Sequence, residues 1–179
     1  WDKACEQYEH NKYWQADLRL NYDLSDTVSL SSTTGYSQLR HNSTTDWQMI
    51  GTEERYSEIH SDTFYQEIQL NAELFGGAVD FVTGATYFHE SSYSDGYVNT
   101  RLGSSVYPAS PNGNGDGGLR HRDDVETTQK SNSFGLFGSA TWHITDRLNF
   151  TGGLRYAYDK KDYQQTEHAS DNFITAPGT

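Results

Sequence analysis

Hydrophobic and polar residues alternate with a period of two in six segments of the chain, the pattern of strands with one apolar face. In the first segment the even positions from Trp14 to Leu24 are apolar, whereas the odd positions from Gln15 to Asp23 are polar. Five similar segments follow, with apolar faces that begin near Val28, Phe64, Val79, Phe134 and Leu148. The fourth segment carries apolar residues on both faces, so its orientation stays open. The pattern predicts an all-β chain.

The connections between these segments alternate between short and long. Tight turns with the sequences LSDT, FGGA and TDR join the strands in pairs and have the residue types of hairpins. The long polar segments Leu39–Asp62 and Glu90–Asn132 separate the three hairpins, and unstructured loops above about 12 to 15 residues are uncommon in compact domains. Short turns at one rim and long loops at the other are typical of outer-membrane barrels. We therefore predict an antiparallel up-and-down meander of about six strands, a segment of a transmembrane β-barrel.

Strand length and aromatic placement favour the same interpretation. Each alternating segment runs for about 10 to 12 residues, close to the roughly 9 to 11 that a tilted strand needs to cross the hydrocarbon. The apolar faces begin and end with aromatic residues, and the positions from Trp14 to Tyr22 span about 26 Å. This is near the height of a lipid-facing band flanked by aromatic girdles. Aromatic residues also favour strands in general, which leaves girdle placement a hypothesis.

Composition excludes several classes of protein. Hydrophobic residues make up 34% of the 179 residues, whereas a soluble domain carries about 45 to 50%. The 13 Tyr, 8 Phe and 4 Trp argue against disorder. No apolar run approaches the roughly 18 residues of a membrane helix. A net charge of -12 without clustered Lys or Arg predicts that nucleic acid is not a partner.

The N-terminal sequence WDKACEQYEH has neither a basic start nor an apolar stretch, so no signal peptide is visible. An exported protein needs one, and we expect that it was removed or that the sequence begins downstream of it. Cys5 is the single cysteine. It either lost a disulfide partner that lies outside this sequence or is an ordinary free thiol, and the sequence does not decide between the two.

Several strings resemble the barrel of TonB-dependent outer-membrane receptors. They are SLSSTTGYSQLR, FYQEIQL followed by VDFVTGATYFHE, and GLFGSATWHITDRLNFTGGLRYAYDKKD. The last is the most specific, because it joins a strand, a TDR turn and a GLRY strand in unbroken register. The resemblance covers roughly residues 13–162. It implies residues 1–12 as the end of an extracellular loop, 13–162 as a partial barrel of three hairpins, and 163–179 as the start of a further extracellular loop.

Membership of that family implies a barrel of about 22 strands, plugged by a separate domain, in the outer membrane of a Gram-negative bacterium. It implies uptake of a scarce nutrient, such as a ferric siderophore, cobalamin or a saccharide, with energy from the TonB complex. The implied partners are outer-membrane lipid and lipopolysaccharide, the receptor's own plug domain, the TonB complex and an unidentified small ligand. Six strands are fewer than the minimum of about eight for a closed barrel, so we expect the chain to be part of a larger receptor.

No catalytic, cofactor-binding or metal-binding residue is predicted, and the chain is not expected to be an enzyme. The seven His residues lack metal-ligand spacing. One motif, PNGNGDGGLRHRDD, partly matches a calcium loop through Asn112, Asn114, Asp116, Gly117 and Asp123. Asn replaces two of the expected acids and no helices flank the motif, which favours a flexible Gly-rich loop.

Two other functions stay open. One is a passive porin, which lacks a plug domain. The other is a soluble β-sandwich that binds carbohydrate through exposed Trp and Tyr side chains. Charged loop residues such as Glu53, Arg55 and Arg122 are either ligand contacts or a solvated rim. For the chain by itself the sequence predicts two unpaired edge strands, long loops at one rim, and an ill-ordered tail beyond Tyr163.

Overall fold

A computed structural model describes residues 7–45, 53–102 and 119–173, and they form one six-stranded antiparallel sheet with the strands in sequence order. The strands are β1 (Tyr8–Ser25), β2 (Val28–Thr45), β3 (Glu53–Leu74), β4 (Val79–Leu102), β5 (Leu119–Thr145) and β6 (Leu148–Phe173). Within these ranges the structure contains no apolar helix of membrane-spanning length. The predicted fold, an up-and-down meander of six strands, is confirmed.

The three predicted hairpin turns are present at one end of the sheet. Asp26–Thr27 joins β1 to β2, Phe75–Ala78 joins β3 to β4, and Asp146–Arg147 joins β5 to β6. The middle turn requires left-handed backbone, with φ of 68° at Gly76 and 86° at Gly77, which glycine adopts without steric cost. We call this end the turn side and the opposite end, where the connections 46–52 and 103–118 begin, the loop side.

The strands are much longer than the alternating segments. β1 and β2 have 18 residues each, and β5 has 27. The prediction that Leu39–Asp62 and Glu90–Asn132 are loops is wrong for most of their length, because β2, β3, β4 and β5 continue through them. Residues 8–12 and 163–173, which the sequence assigns to loops, lie in β1 and β6, so the ill-ordered tail beyond Tyr163 is also wrong as far as Phe173. Strand pairing satisfies the backbone whatever the hydropathy of the side chains.

The registers place most apolar residues of the six strands on one face between two rows of aromatic residues. The register also settles the orientation of β4, because Val79, Phe81 and Ala85 lie opposite Trp142, Ala140 and Leu136 of the apolar face. We define the loop-side girdle as Trp14, Tyr36, Phe64, Tyr87, Phe134 and Tyr158, and the turn-side girdle as Tyr22, Phe81, Trp142 and Phe150. The part of each strand between the girdles is called the spanning half, and the part beyond the loop-side girdle is called the outer extension.

Each girdle crosses the sheet obliquely. The rung that contains Tyr87, Phe134 and Tyr158 meets β1 at Leu18, four residues from Trp14. The turn-side girdle drifts in the same direction, from Tyr22 on β1 to the Trp142–Phe150 rung on β5 and β6. Four residues over five strand spacings correspond to a strand tilt of about 30° from the normal to the girdles. Barrel strands in membranes tilt by about 35 to 45°, so the tilt in this sheet is slightly below the usual range for a barrel wall.

The sheet has no core of its own. Ala72 is the one hydrophobic residue buried in the described chain, and large apolar side chains such as Leu154 are as much as 87% exposed. A sandwich buries its apolar face against a second sheet, and no second sheet is present among the described residues. β1 and β6 each pair with one neighbour there, as predicted for a piece of barrel wall.

Candidate functional site

The face opposite the girdles is mainly polar in the spanning half, with Val82 and Phe137 as apolar exceptions. Its positions alternate with the apolar ones, so the same strands present Ser, Thr, Asn and Gln together with four charged residues at mid-height. Those charged residues are Asp17 and Arg19 on β1, Glu67 on β3 and Arg155 on β6. A face of this kind is unsuited to lipid and suited to water or a polar partner inside a barrel.

Side chains of this polar face bond along and across the strands. On β1, Tyr13 donates to Gln15 Oε1 at 2.6 Å, and Gln15 Nε2 donates to Asp17 Oδ2 at 2.7 Å. The carboxylate of Asp17 in turn lies over Gly35 of β2, where an added Cβ would be 2.8 Å from Asp17 Oδ1. Gly35 therefore makes room for an acidic side chain that lies flat on the wall.

A second glycine that is covered by a side chain lies at the centre of the sheet. The ring of Phe137 covers Gly84, because a Cβ at that position would be 2.5 Å from Phe137 Cζ. Nearby, the Tyr65 hydroxyl donates to Glu67 Oε2 at 2.7 Å. At mid-height the polar face therefore presents the Glu67 carboxylate and the aromatic rings of Tyr65 and Phe137.

Acidic residues are concentrated on the polar face at the turn side. Asp23, Asp26, Glu73 and Asp80 line one open groove beside the first two turns. His143 of β5 bonds through Nε2 to Asp80 Oδ2 and through Nδ1 to Asn149 Oδ1, each at 2.9 Å. No group of three or more His, Cys, Asp or Glu side chains in the described ranges has the geometry of a metal site.

The outer extension carries a second network, on the same side of the sheet as the apolar face. The rings of Tyr56 and Tyr97 stack with centroids 5.3 Å apart, and the Arg122 guanidinium lies 4.1 Å from the Tyr97 ring centre. Arg122 also pairs with Asp124 at 2.6 Å. The hydrogen bonds from Arg122 hold the pKa of the Asp124 carboxyl below its ordinary value.

From Tyr56 the network continues toward the girdle. Asn42 Nδ2 donates to the Tyr56 hydroxyl at 3.1 Å, and that hydroxyl donates to Glu58 Oε2 at 2.9 Å. His60 bonds to Glu58 Oε1 at 2.7 Å and, through its other nitrogen, lies 3.3 Å from Arg40 Nη1. The hydrogen bond from His60 is the main cause that lowers the pKa of Glu58, followed by that from Tyr56.

The charged residues that the sequence assigns to loops are in strands. Glu53 and Arg55 lie in β3 and pair at 2.6 Å, and Arg122 lies in β5. Asp123, the last residue of the calcium-like motif, pairs with His121 at 2.9 Å within β5. The remaining motif residues, Asn112, Asn114, Asp116 and Gly117, lie outside the described residues, as does Cys5.

The outer network was missed by sequence reasoning because its members come from segments interpreted as loops. One signal of continued strand was present: Tyr87, Tyr93 and Tyr97 all occupy odd positions of β4, so a period of two continues past the girdle. The partners across the strands had no sequence signal, since the register that brings Arg122 to Tyr97 links residues 25 apart in number.

The comparisons with known proteins agree with this geometry. The model of the family described as "TonB dependent receptor-like, beta-barrel" matches residues 1–177. The chain belongs to this TonB-dependent receptor barrel family. Its place is accordingly the outer membrane of a Gram-negative bacterium. No curated protein matches the chain in sequence.

A solved receptor structure, that of FyuA, has the same fold as this chain. The ferric yersiniabactin uptake receptor FyuA of Yersinia pestis superimposes with a TM-score of 0.69 at 15% identity, over 94% of this chain and 25% of the FyuA chain. The ferric preacinetobactin receptor BauA of Acinetobacter baumannii is matched at 12% identity and a TM-score of 0.43, over 91% of this chain and 27% of BauA. The chain thus spans about a quarter of the length of the receptors that it matches.

Proposed function

We propose that this chain is part of the barrel wall of a receptor that takes up a scarce nutrient across the outer membrane with energy from the TonB complex. A ferric siderophore is the substrate class that we favour, because FyuA, which has the same fold, is an uptake receptor for ferric yersiniabactin. The observation that carries the proposal is the two-faced sheet itself, which has an apolar face without charged residues between the girdles and a mainly polar face with Asp17, Arg19, Glu67 and Arg155 at mid-height. The proposed role is transport, and no enzymatic step is proposed.

In this proposal the apolar face contacts lipid. It carries no charged residue between the girdles, and its large side chains include Leu18, Leu136 and Leu154, which are 57%, 47% and 87% exposed in the sheet. Contact with lipid chains would remove these apolar side chains from water, which is energetically favourable. The turns then lie in the periplasm and the outer extensions stand above the outer leaflet, as is usual for these barrels.

The polar face lines the interior and contacts the plug domain. Asp17, Glu67 and Arg155 at mid-height are placed to pair with polar groups of a plug, and the glycines covered by Asp17 and Phe137 keep the wall flat enough for close approach. A passive porin needs no such partner, because its interior is filled with water. No single observation favours the porin, and the single-layered sheet disfavours the soluble carbohydrate-binding module.

The test uses the complete receptor gene in its own bacterium under iron limitation. Uptake of iron-55 bound to a panel of ferric siderophores is measured in the parent strain, in a strain that lacks the receptor, and in one that lacks TonB. We expect uptake of one ferric complex to be lost in both deletion strains and to stop when a protonophore collapses the proton gradient.

Labelled cobalamin and oligosaccharides, measured in the same strains, identify the substrate class. Uptake that depends on the receptor but persists without TonB and without a proton gradient would support a porin and contradict the proposal. A receptor deletion that leaves uptake of every compound unchanged would contradict both transport functions.

A further inference from the structure

The outward side of the outer extension is a free sheet face that stands clear of the membrane. Tyr56 of β3 and Tyr97 of β4 are far along their strands from the girdle residues Phe64 and Tyr87. At about 3.3 Å per residue and a tilt of about 30°, they lie roughly 23 to 29 Å above the girdle. A headgroup layer is only about 5 to 8 Å thick, so this part of the face is outside the bilayer.

One cation of this chain shows how the face binds positive charge. The Arg122 guanidinium lies 4.1 Å from the centre of the Tyr97 ring and pairs with Asp124 at 2.6 Å. The ring provides a cation–π contact, and the carboxylate provides a charge-assisted hydrogen bond. A tyrosine with a carboxylate beside it therefore forms a cation site on this sheet.

The same types of group recur nearer to the membrane. Tyr93 is 41% exposed, and Asp95 and Glu126 are direct cross-strand neighbours on the same side of the sheet. Glu58 lies opposite Asp95 on β3, so one rung carries carboxylates on three adjacent strands. Like charges that face each other across strands are destabilising, and a cation between them relieves the repulsion. We call Tyr93, Glu58, Asp95 and Glu126 the tyrosine–carboxylate patch.

The described part of the chain provides little neutralisation of this patch. No hydrogen bond or ion pair joins the Asp95 or Glu126 carboxylate to another side chain in the described ranges. Glu58 bonds to His60 at 2.7 Å. Burial raises the pKa of Tyr93, and the charges of the three carboxylates raise it further, so they act on one place.

The charge of the patch decides which occupant fits. A phosphorylated lipid is disfavoured, because its phosphates repel the three carboxylates. A second copy that met this face by two-fold symmetry would bring the same patch against it, so that carboxylates would face carboxylates. A protein surface that presents Lys or Arg has the complementary charge, and tyrosine is enriched in protein interfaces.

We propose that the tyrosine–carboxylate patch is a docking site for a basic segment of another protein at the cell surface. An Arg or Lys side chain of that partner lies between Asp95 and Glu126 and against the Tyr93 ring. Its contacts are of the kind that Arg122 makes within this chain. The inference rests on the proposed contact of the apolar face with lipid, and it adds a protein partner outside the membrane.

The test places a photoreactive benzophenone amino acid at Thr166 of the complete receptor in its own bacterium. Thr166 lies opposite Glu126 on the same side of the sheet. After illumination we expect a cross-link to one other surface protein, at a position that mass spectrometry locates within a few residues of a Lys or Arg. The same amino acid at Gln165, the adjacent residue on the polar face, should not give this product.

Variants of the patch test whether charge holds the partner. Glu126→Gln and Asp95→Asn should each lower the yield of the cross-link by about twofold to fivefold, the range of one exposed ion pair. Glu167→Gln is the matched control, because Glu167 adjoins Thr166 but lies on the polar face, and it should leave the yield unchanged. Glu126→Lys should abolish the product, and exchange of the partner's nearby Lys or Arg for Glu should restore it.

Several outcomes would overturn the proposal. They are a cross-link only to glycolipid, a cross-link only to a second receptor, no protein product, or equal loss of yield in Glu126→Gln and Glu167→Gln. Heat-modifiable migration in gels checks that each variant inserts, and Asp95→Asn provides the comparison if Glu126→Gln does not.

Iron-55 uptake in the same cells separates this inference from the proposed function. No cross-link from a receptor with normal uptake overturns the docking site alone. Uptake that persists without TonB contradicts the proposed function and leaves the docking site standing if the cross-link forms.

Discussion

The spanning half and the outer extension of each strand belong to one hydrogen-bonded sheet, yet they are stabilised differently. Between the girdles, one face is apolar and the other is polar. Beyond the loop-side girdle both faces are mainly polar, and side-chain contacts connect the strands: Asn42 with Tyr56, Tyr56 with Tyr97, and Tyr97 with Arg122. The backbone pairing is the same in both regions. The difference shows that the surroundings select the side chains of each region without changing the strand pairing.

A hydrogen-bonded group of polar side chains, similar to those of the outer extension, also occurs on the apolar face of the spanning half. Gln66 lies on the apolar face of β3, where it interrupts the apolar positions. Thr34 Oγ1 donates to Gln66 Oε1 at 2.6 Å, and Gln66 Nε2 donates to Ser32 Oγ at 2.9 Å. The neighbouring strand β2 thus satisfies the amide, which makes a polar group tolerable at a depth where lipid offers no partner.

The largest expected difference between the regions comes from an added charge. Leu154 lies midway between Phe150 and Tyr158 on the apolar face of β6 and is 87% exposed. In the complete receptor Leu154→Arg should lower the free energy of unfolding from lipid vesicles by about 2 to 4 kcal/mol, as for charges at mid-membrane. Urea titration followed by tryptophan fluorescence measures the change.

Gln164→Arg is the control, because Gln164 lies on the same face of the same strand in the outer extension. It should change the free energy of unfolding by less than about 0.5 kcal/mol. Equal effects of the two substitutions would remove the distinction between the regions.

A smaller effect is expected from crowding on the polar face of the spanning half. Gly84→Ala should destabilise the receptor by about 1 to 3 kcal/mol, the usual cost of overpacking. The added Cβ would be 2.6 Å from the Ile68 carbonyl oxygen and 2.5 Å from the Phe137 ring. Gly138→Ala on the apolar face is the control, since its nearest contact is 3.6 Å away. The same urea titration compares the two, and equal stabilities would contradict the close packing at Gly84.

Loss of one hydrogen-bond partner of Gln66 should destabilise the receptor less than Gly84→Ala does. Thr34→Val leaves Gln66 Oε1 without its donor, and we expect a loss of about 1 kcal/mol in the bilayer. The double variant Thr34→Val, Gln66→Leu should recover most of this loss, because no unsatisfied amide remains. A double-mutant cycle in vesicles measures the coupling, and simple additivity of the two changes would show that the bond contributes nothing.

The smallest effect concerns pH in the outer extension. Arg122 lowers the pKa of Asp124 from its ordinary value of 3.8, so the stabilisation by this pair is complete above that value and is lost as pH falls through the lowered pKa. The Arg122 Nε chemical shift, followed by NMR, should therefore stay constant from neutral pH down to about 5 and change only below 3.8. Asp124→Asn should abolish that change, and a transition near neutral pH would contradict the assignment.

The candidate site was predictable in part. Asp17 is among the odd positions from Gln15 to Asp23 that alternation identified as a polar face, and the structure places it on that face. The packing of Asp17 over Gly35 and of Phe137 over Gly84 was beyond sequence reasoning, because it joins neighbouring strands whose register is not encoded locally. The outer network was inaccessible for the same reason: Tyr97 and Arg122 are neighbours only through the β4–β5 ladder.

The sequence by itself determined the six strands, the three tight turns and the separation of apolar and polar faces between the girdles. A strand with lipid on one side and a polar interior on the other must alternate apolar and polar residues. That alternation is visible in the sequence from Trp14 to Leu24. Only the tertiary structure decided how far the strands continue, which face β4 presents and which side chains meet across the strands. These features depend on backbone pairing between strands, which tolerates polar residues on both faces and therefore leaves no hydrophobic pattern in the chain.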